Sequence, residues 1–159
     1  MLLTIFPALV CCAAITLLLV SAVAFVQETR FFSSAPKEVR VLLQPRSGEA
    51  FYGARMIGWI MMILGALGIA VWDGFRSGFS FLQFFLRFAL ILTIYKAYDM
   101  IFFDYFLLCR FHFFQHYFPE TAPALEGRKY GFNIRSQLVK LLVIFPAVSA
   151  LAAWVCTRF

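Results

Sequence analysis

Residues 3–26, LTIFPALVCCAAITLLLVSAVAFV, contain no Asp, Glu, Lys, Arg or His. A run of this length matches the roughly 20 apolar residues that cross a bilayer as one helix. A secretory signal is the rival reading, with Ala22-Val23-Ala24 as its cleavage site. No positive residue precedes the run, however, and it exceeds the roughly 7–15-residue apolar region of a signal. The run is therefore expected to be the first membrane span. Pro7 falls in its opening turn, where a missing N–H does no harm.

Three further runs repeat the pattern. GARMIGWIMMILGALGIAVW, residues 53–72, is the second expected span, and DGFRSG at 73–78 is the turn that follows it. From Phe79 to Phe118 the chain stays apolar over a length that, as one helix, would measure about 60 Å, twice the hydrocarbon thickness. It has to bend, tilt or leave the membrane. Arg87 and Arg110 bracket a bilayer-length piece, so the third span is expected over 88–109. Residues 79–86 and 111–118 then form amphipathic, interfacial extensions. The fourth span is expected over 138–156, kinked at Pro146. Composition agrees: the chain is 63% hydrophobic and only 14% charged, against about 25% in soluble domains. Its 21 Phe suit lipid-facing surfaces and interfacial belts. The fold class is all-α, a single polytopic transmembrane domain of four helices.

Polar loops separate the spans at 27–51 and 119–136, with a short interfacial turn expected around Val39 to Leu43. The first loop holds Arg30, Lys37, Arg40 and Arg46; the third holds Arg128, Lys129 and Arg135. The middle turn has only Arg76. The positive-inside rule places both basic loops in the cytoplasm and both termini outside, in the plasma (inner) membrane if the source is bacterial. The net charge of +6 forms no basic stripe and no aromatic-basic module, which argues against nucleic acid. Attraction to anionic lipid of the bilayer explains it better.

The third span is not cleanly apolar. Lys96, Asp99, Asp104 and Arg110 interrupt it, and a lone charge at helix centre costs about 2.5–3.5 kcal/mol on insertion scales. At about 100° per residue, Lys96, Asp99, Phe103 and Arg110 share an arc of about 60°. Lys96 and Asp99 are spaced to pair. Asp104 lies about 140° from Asp99 on an α-helix, so it is expected to need another donor: Arg55, Arg135, a tyrosine or water. This stripe supports three readings. It is a structural ion pair that fixes register or holds a partner, a conduction site for a proton or cation, or a site for chemistry on a lipid-phase substrate.

Cys109, His112 and His116 are three and four apart, the helical spacing by which side chains converge on one metal ion. The competing reading is an interfacial aromatic segment anchored by Phe111, Phe113, Phe114, Tyr117 and Phe118. Lys129, Arg135 and Lys140 surround the entrance to the fourth span, where they can contact an anionic head group or simply set topology. The four cysteines lie in or beside apolar runs with no disulfide or zinc-knuckle spacing. There is no G-x-S-x-G, Walker loop, H-E-x-x-H or Gly-rich dinucleotide turn, so no motif names a catalytic residue or a cofactor.

Four helices can barely shield a polar stripe alone. A homo-oligomer or a partner membrane subunit is therefore expected, with the small residues Gly58, Gly65 and Gly68 of the second span at a contact. The leading functional expectation is an intramembrane polar site for ion, proton or small-solute translocation. A structural subunit of a larger complex and a membrane-embedded enzyme are the alternatives.

Overall fold

A computed structural model describes residues 2–26, 37–43, 50–127 and 134–158. Among these residues the chain is helical, with no strand. Helix α1 spans Leu2–Ser21 and runs on as a π-helical turn over Ala22–Val26. A short α2, Lys37–Leu42, precedes the long α3, Ala50–Arg76. Helix α4, Phe81–Tyr98, continues without a break into a π-helix over Asp99–Arg110. Short helices α5 (Phe113–Tyr117) and α6 (Ala122–Leu125) follow, joined by a 3₁₀ turn at Pro119–Thr121. Helix α7, Ile134–Val139, passes through a π turn at Lys140–Ile144 into α8, Phe145–Cys156. Among the described residues, four stretches are long and apolar enough to cross a membrane: Thr4–Phe25, Arg55–Arg76, Phe81–Arg110 and Ile134–Cys156.

Helix α1 packs against both α3 and α4, and α4 also packs against α8. Small side chains make the close approaches. Ala8 of α1 and Ala70 of α3 are fully buried against Ile91 of α4, and Ala153 of α8 is buried against Phe84 and Phe88. In lipid such packing replaces the hydrophobic drive that holds soluble bundles together. Thr16 on α1 and Tyr98 on α4 add a hydroxyl–hydroxyl contact of 2.9 Å between the two central helices.

The turn between α3 and α4 lies later than expected. Asp73 is still helical, and α3 ends at Arg76, where Gly78 adopts a left-handed φ of 65° and the Phe79 N–H closes onto the Gly74 carbonyl at 3.0 Å. Glycine enters that region without the Cβ clash other residues suffer. Helix α4 then starts at Ser80, whose N–H donates to the Gln83 side chain at 2.8 Å, half of a capping box. Pro7 lies in the second turn of α1 rather than its first, and Pro146 lies in the first turn of α8, just after the π turn. At that position its absent N–H removes little, because the chain is already changing register.

The polar loops are not bare connections. Val39 and Leu43, around α2, are buried against Phe118 and Leu125 of the α5–α6 region, together with Val23, Leu108 and Phe114. The expected interfacial turn near Val39 is this helix. It caps one end of the bundle, while the α3–α4 turn closes the other. Residues 111–118, read as one interfacial extension, are divided by a left-handed residue, His112, whose φ is 52°.

Candidate intramembrane polar site

The Asp99–Arg110 segment differs from an α-helix in the way that matters for its charges. In an α-helix residues five apart diverge by about 140°. In a π-helix the backbone bonds run i→i+5, so residues five apart return to nearly the same face. The end of the segment shows this pattern directly: the Phe111 N–H donates to the Phe106 carbonyl at 2.8 Å. Asp99 and Asp104 accordingly line one cavity, which corrects the expectation that they occupy different faces.

That cavity has a volume of about 280 Å³ and lies between the second half of α1, the α4 π-extension, α5 and α7. Its polar wall is formed by Tyr95, Lys96, Asp99, Asp104, Ser136, Gln137 and Lys140. Ile15, Leu19, Val20 and Val23 of α1 face them from the apolar side. Lys96 is buried and its ammonium donates to an Asp99 carboxylate oxygen, the expected i,i+3 pair. Asp104 takes its hydrogen bond from the Gln137 side-chain amide at 3.0 Å. The donor is thus neither Arg55 nor Arg135, nor a tyrosine. Gln137 belongs to the fourth membrane-crossing stretch, 33 residues away, and no local spacing marks it as a partner.

The remaining candidate residues are not all brought here. Arg110 is exposed and does not line the cavity, because the π register turns it away from Lys96 and Asp99. Lys140 lines the cavity; Arg135 is exposed away from it, and Lys129 lies outside the described residues. Cys109 and His112 border a second cavity of about 420 Å³ at the loop end, with Gln115 and Glu126. His116 is not part of it. The left-handed His112 separates the helix bearing Cys109 from the one bearing His116, so the three do not share a helical face. Among the described residues no group of three His, Cys, Asp or Glu side chains is placed to hold a metal ion.

A second buried ion pair, which the sequence did not suggest, lies at the opposite end of the bundle. Arg87 was expected at the membrane boundary. Instead it is 7% exposed, and its Nη1 donates both to Asp73 Oδ2 at 2.7 Å and to the Ala70 carbonyl at 2.8 Å. Its guanidinium also sits 4.2 Å from the centre of the Phe79 ring. The longer α3 puts Asp73 on the helix wall within reach of Arg87. Between this pair and the polar cavity lies the apolar packing of Ala8, Ala70 and Ile91.

Comparisons of the chain with protein families, with curated proteins and with solved structures find no match.

Proposed function

We propose that this four-helix chain is a multi-pass membrane protein whose intramembrane cavity binds and passes an ion, a proton or a small polar solute. One observation carries the reading: Asp99 and Asp104, both in a membrane-length helix, face the same partly polar cavity. Charged groups at that depth are costly, and those that persist there mark solute pathways more often than lipid-facing surface. In this scheme Asp104 is the exchanging group, since only a neutral amide holds it, and the Lys96–Asp99 pair positions it. The apolar contact of Ala8, Ala70 and Ile91 is the barrier that has to open for passage. The basic loops face the cytoplasm, and a second copy or another membrane subunit covers the outward glycines of α3.

The test is flux in liposomes. Asp104→Asn should abolish ion or proton movement while leaving thermal stability and assembly intact. A wild-type protein that supports no flux under any ion gradient sinks the reading.

The structural-subunit reading has its own support, because Lys96–Asp99 and Arg87–Asp73 are both ion pairs formed within the bundle, at little exposure. It expects Asp99→Asn to weaken expression or assembly, with no flux to lose.

A further inference from the structure

We propose that the cavity takes an aminoalkyl phosphate group, the headgroup chemistry of an amine-bearing phospholipid, with the ammonium on Asp104 and the phosphate on Lys140. This inference rests on reading the cavity as a solute site, and it names the ligand class.

Two acids and two lysines line the cavity, so their formal charges cancel. A cavity with balanced charges compensates both ends of a zwitterion, whereas a lone cation or anion leaves one of its charges unmatched. The four charges are also of two kinds. Lys96 and Asp99 already neutralise one another. Asp104 is held only by the Gln137 amide, and Lys140 has no hydrogen-bond or ion-pair partner among the described residues. One acid and one base, neither of them in an ion pair among the described residues, on the walls of a single cavity are complementary to a zwitterion.

The details narrow the ligand further. The Gln137 amide bonds one Asp104 carboxylate oxygen, Oδ2, and leaves Oδ1 to accept from a ligand. A carboxylate acceptor suits an ammonium with N–H bonds better than a quaternary one, which has none. A lysine is a point-charge partner for phosphate. The volume of about 280 Å³ lies at the small end of the roughly 300–1,000 Å³ range of ligand cavities. It holds a headgroup and not two acyl chains. The aliphatic wall of α1 then receives the first carbons of the chains, whose remainder stays in the bilayer.

The experiment titrates full-length protein in nonionic detergent with dihexanoyl phosphatidylethanolamine, phosphatidylglycerol and phosphatidylcholine, reading binding by native mass spectrometry. Phosphatidylethanolamine should bind saturably, at least tenfold tighter than the other two. Asp104→Asn and Lys140→Gln should each weaken it at least tenfold, and Asp104→Asn should leave phosphatidylglycerol unchanged. Soluble phosphoethanolamine is the competitor. Displacement of the lipid assigns recognition to the headgroup alone, and failure to displace it assigns the lipid as the source. Equal binding of phosphatidylethanolamine and phosphatidylglycerol by the wild-type protein overturns the proposal, and that comparison depends on no variant. Selective lipid binding without any flux removes the translocation reading and keeps this one. Proton flux without lipid selectivity does the reverse.

Discussion

Asp99 and Asp104 share one cavity because the helix between them is wound as a π-helix, not as an α-helix. With α-helical winding, Asp104 would turn about 140° away from Asp99, toward lipid, at a cost of about 2.5–3.5 kcal/mol. Wider winding weakens backbone geometry, but it keeps both carboxylates against protein. Aromatic rings fill the widened surface: Tyr98 stacks on Phe102 at 5.1 Å, and Phe102 meets Phe103 edge-on at 5.3 Å. An unusual backbone is thus coupled to the polar site it serves.

This register is testable by accessibility. In a variant lacking the four native cysteines, Asp99→Cys and Asp104→Cys should react with a small hydrophilic maleimide at similar rates. Ile101→Cys, whose parent side chain is 58% exposed on the outer surface, should be protected by lipid once the protein is in a bilayer. An α-helical segment would instead protect position 104 and leave 99 reactive. Reaction rates in liposomes decide between them.

Lys96 and Asp99 form a buried pair, 6% and 15% exposed, so removing one partner strands the other. Lys96→Met should lower stability by about 3–5 kcal/mol, as for other broken buried pairs. The double change Lys96→Met/Asp99→Leu should recover most of that loss, since a well-packed apolar pair avoids the desolvation of both charges. Thermal unfolding in detergent reads both. If the double variant is no more stable than Lys96→Met, the pair contributes something beyond mutual neutralisation.

Much of the architecture was legible in the sequence, because membrane spans are encoded locally by length and composition. The Lys96–Asp99 pair was legible for the same reason, being one helical turn apart. Contacts between distant segments were not. Nothing near Asp104 names Gln137, and nothing near Arg87 names Asp73, until helix ends and packing are known. The mistaken angle between the two acids had a different origin. It assumed α-helical winding, and no residue in DMIFFDYFLLCR announces the wider turn. The grouping of Cys109, His112 and His116 failed for a related reason, since a single left-handed residue interrupts the helix that the spacing required.

Arg87 should behave as a structural residue, because its Nη1 is held inside the bundle by both Asp73 and the Ala70 carbonyl. Its guanidinium serves Asp73 and the Ala70 carbonyl while lying over Phe79. Lysine has neither the planar fork nor the stacking face, so Arg87→Lys should destabilise by about 1.5–3 kcal/mol, the range for losing a hydrogen bond to a charged group. Flux or lipid binding per folded molecule should be unchanged. A selective loss of either, at full stability, would give this pair a functional role as well.

Of Gly58, Gly65, Gly68 and Gly74 in α3, the last is enclosed and the other three face outward. A Cβ at Gly74 would collide with the ring of Phe84, which is 1% exposed and hemmed in by Phe75, Phe79 and Phe88. The ring has no room to move, so Gly74→Ala should destabilise by about 1–3 kcal/mol through overpacking. At Gly58, Gly65 and Gly68 an added Cβ meets nothing within 4 Å. Gly65→Ala should therefore be tolerated within a single chain, and better helix propensity should raise stability by up to about 1 kcal/mol. A larger side chain separates the chain from its assembly. If a neighbouring helix lies on this face, as expected of small residues in lipid, Gly65→Leu should lower the mass measured by light scattering without lowering the melting temperature. An unchanged mass for Gly65→Leu and Gly68→Leu would remove α3 as the oligomer contact.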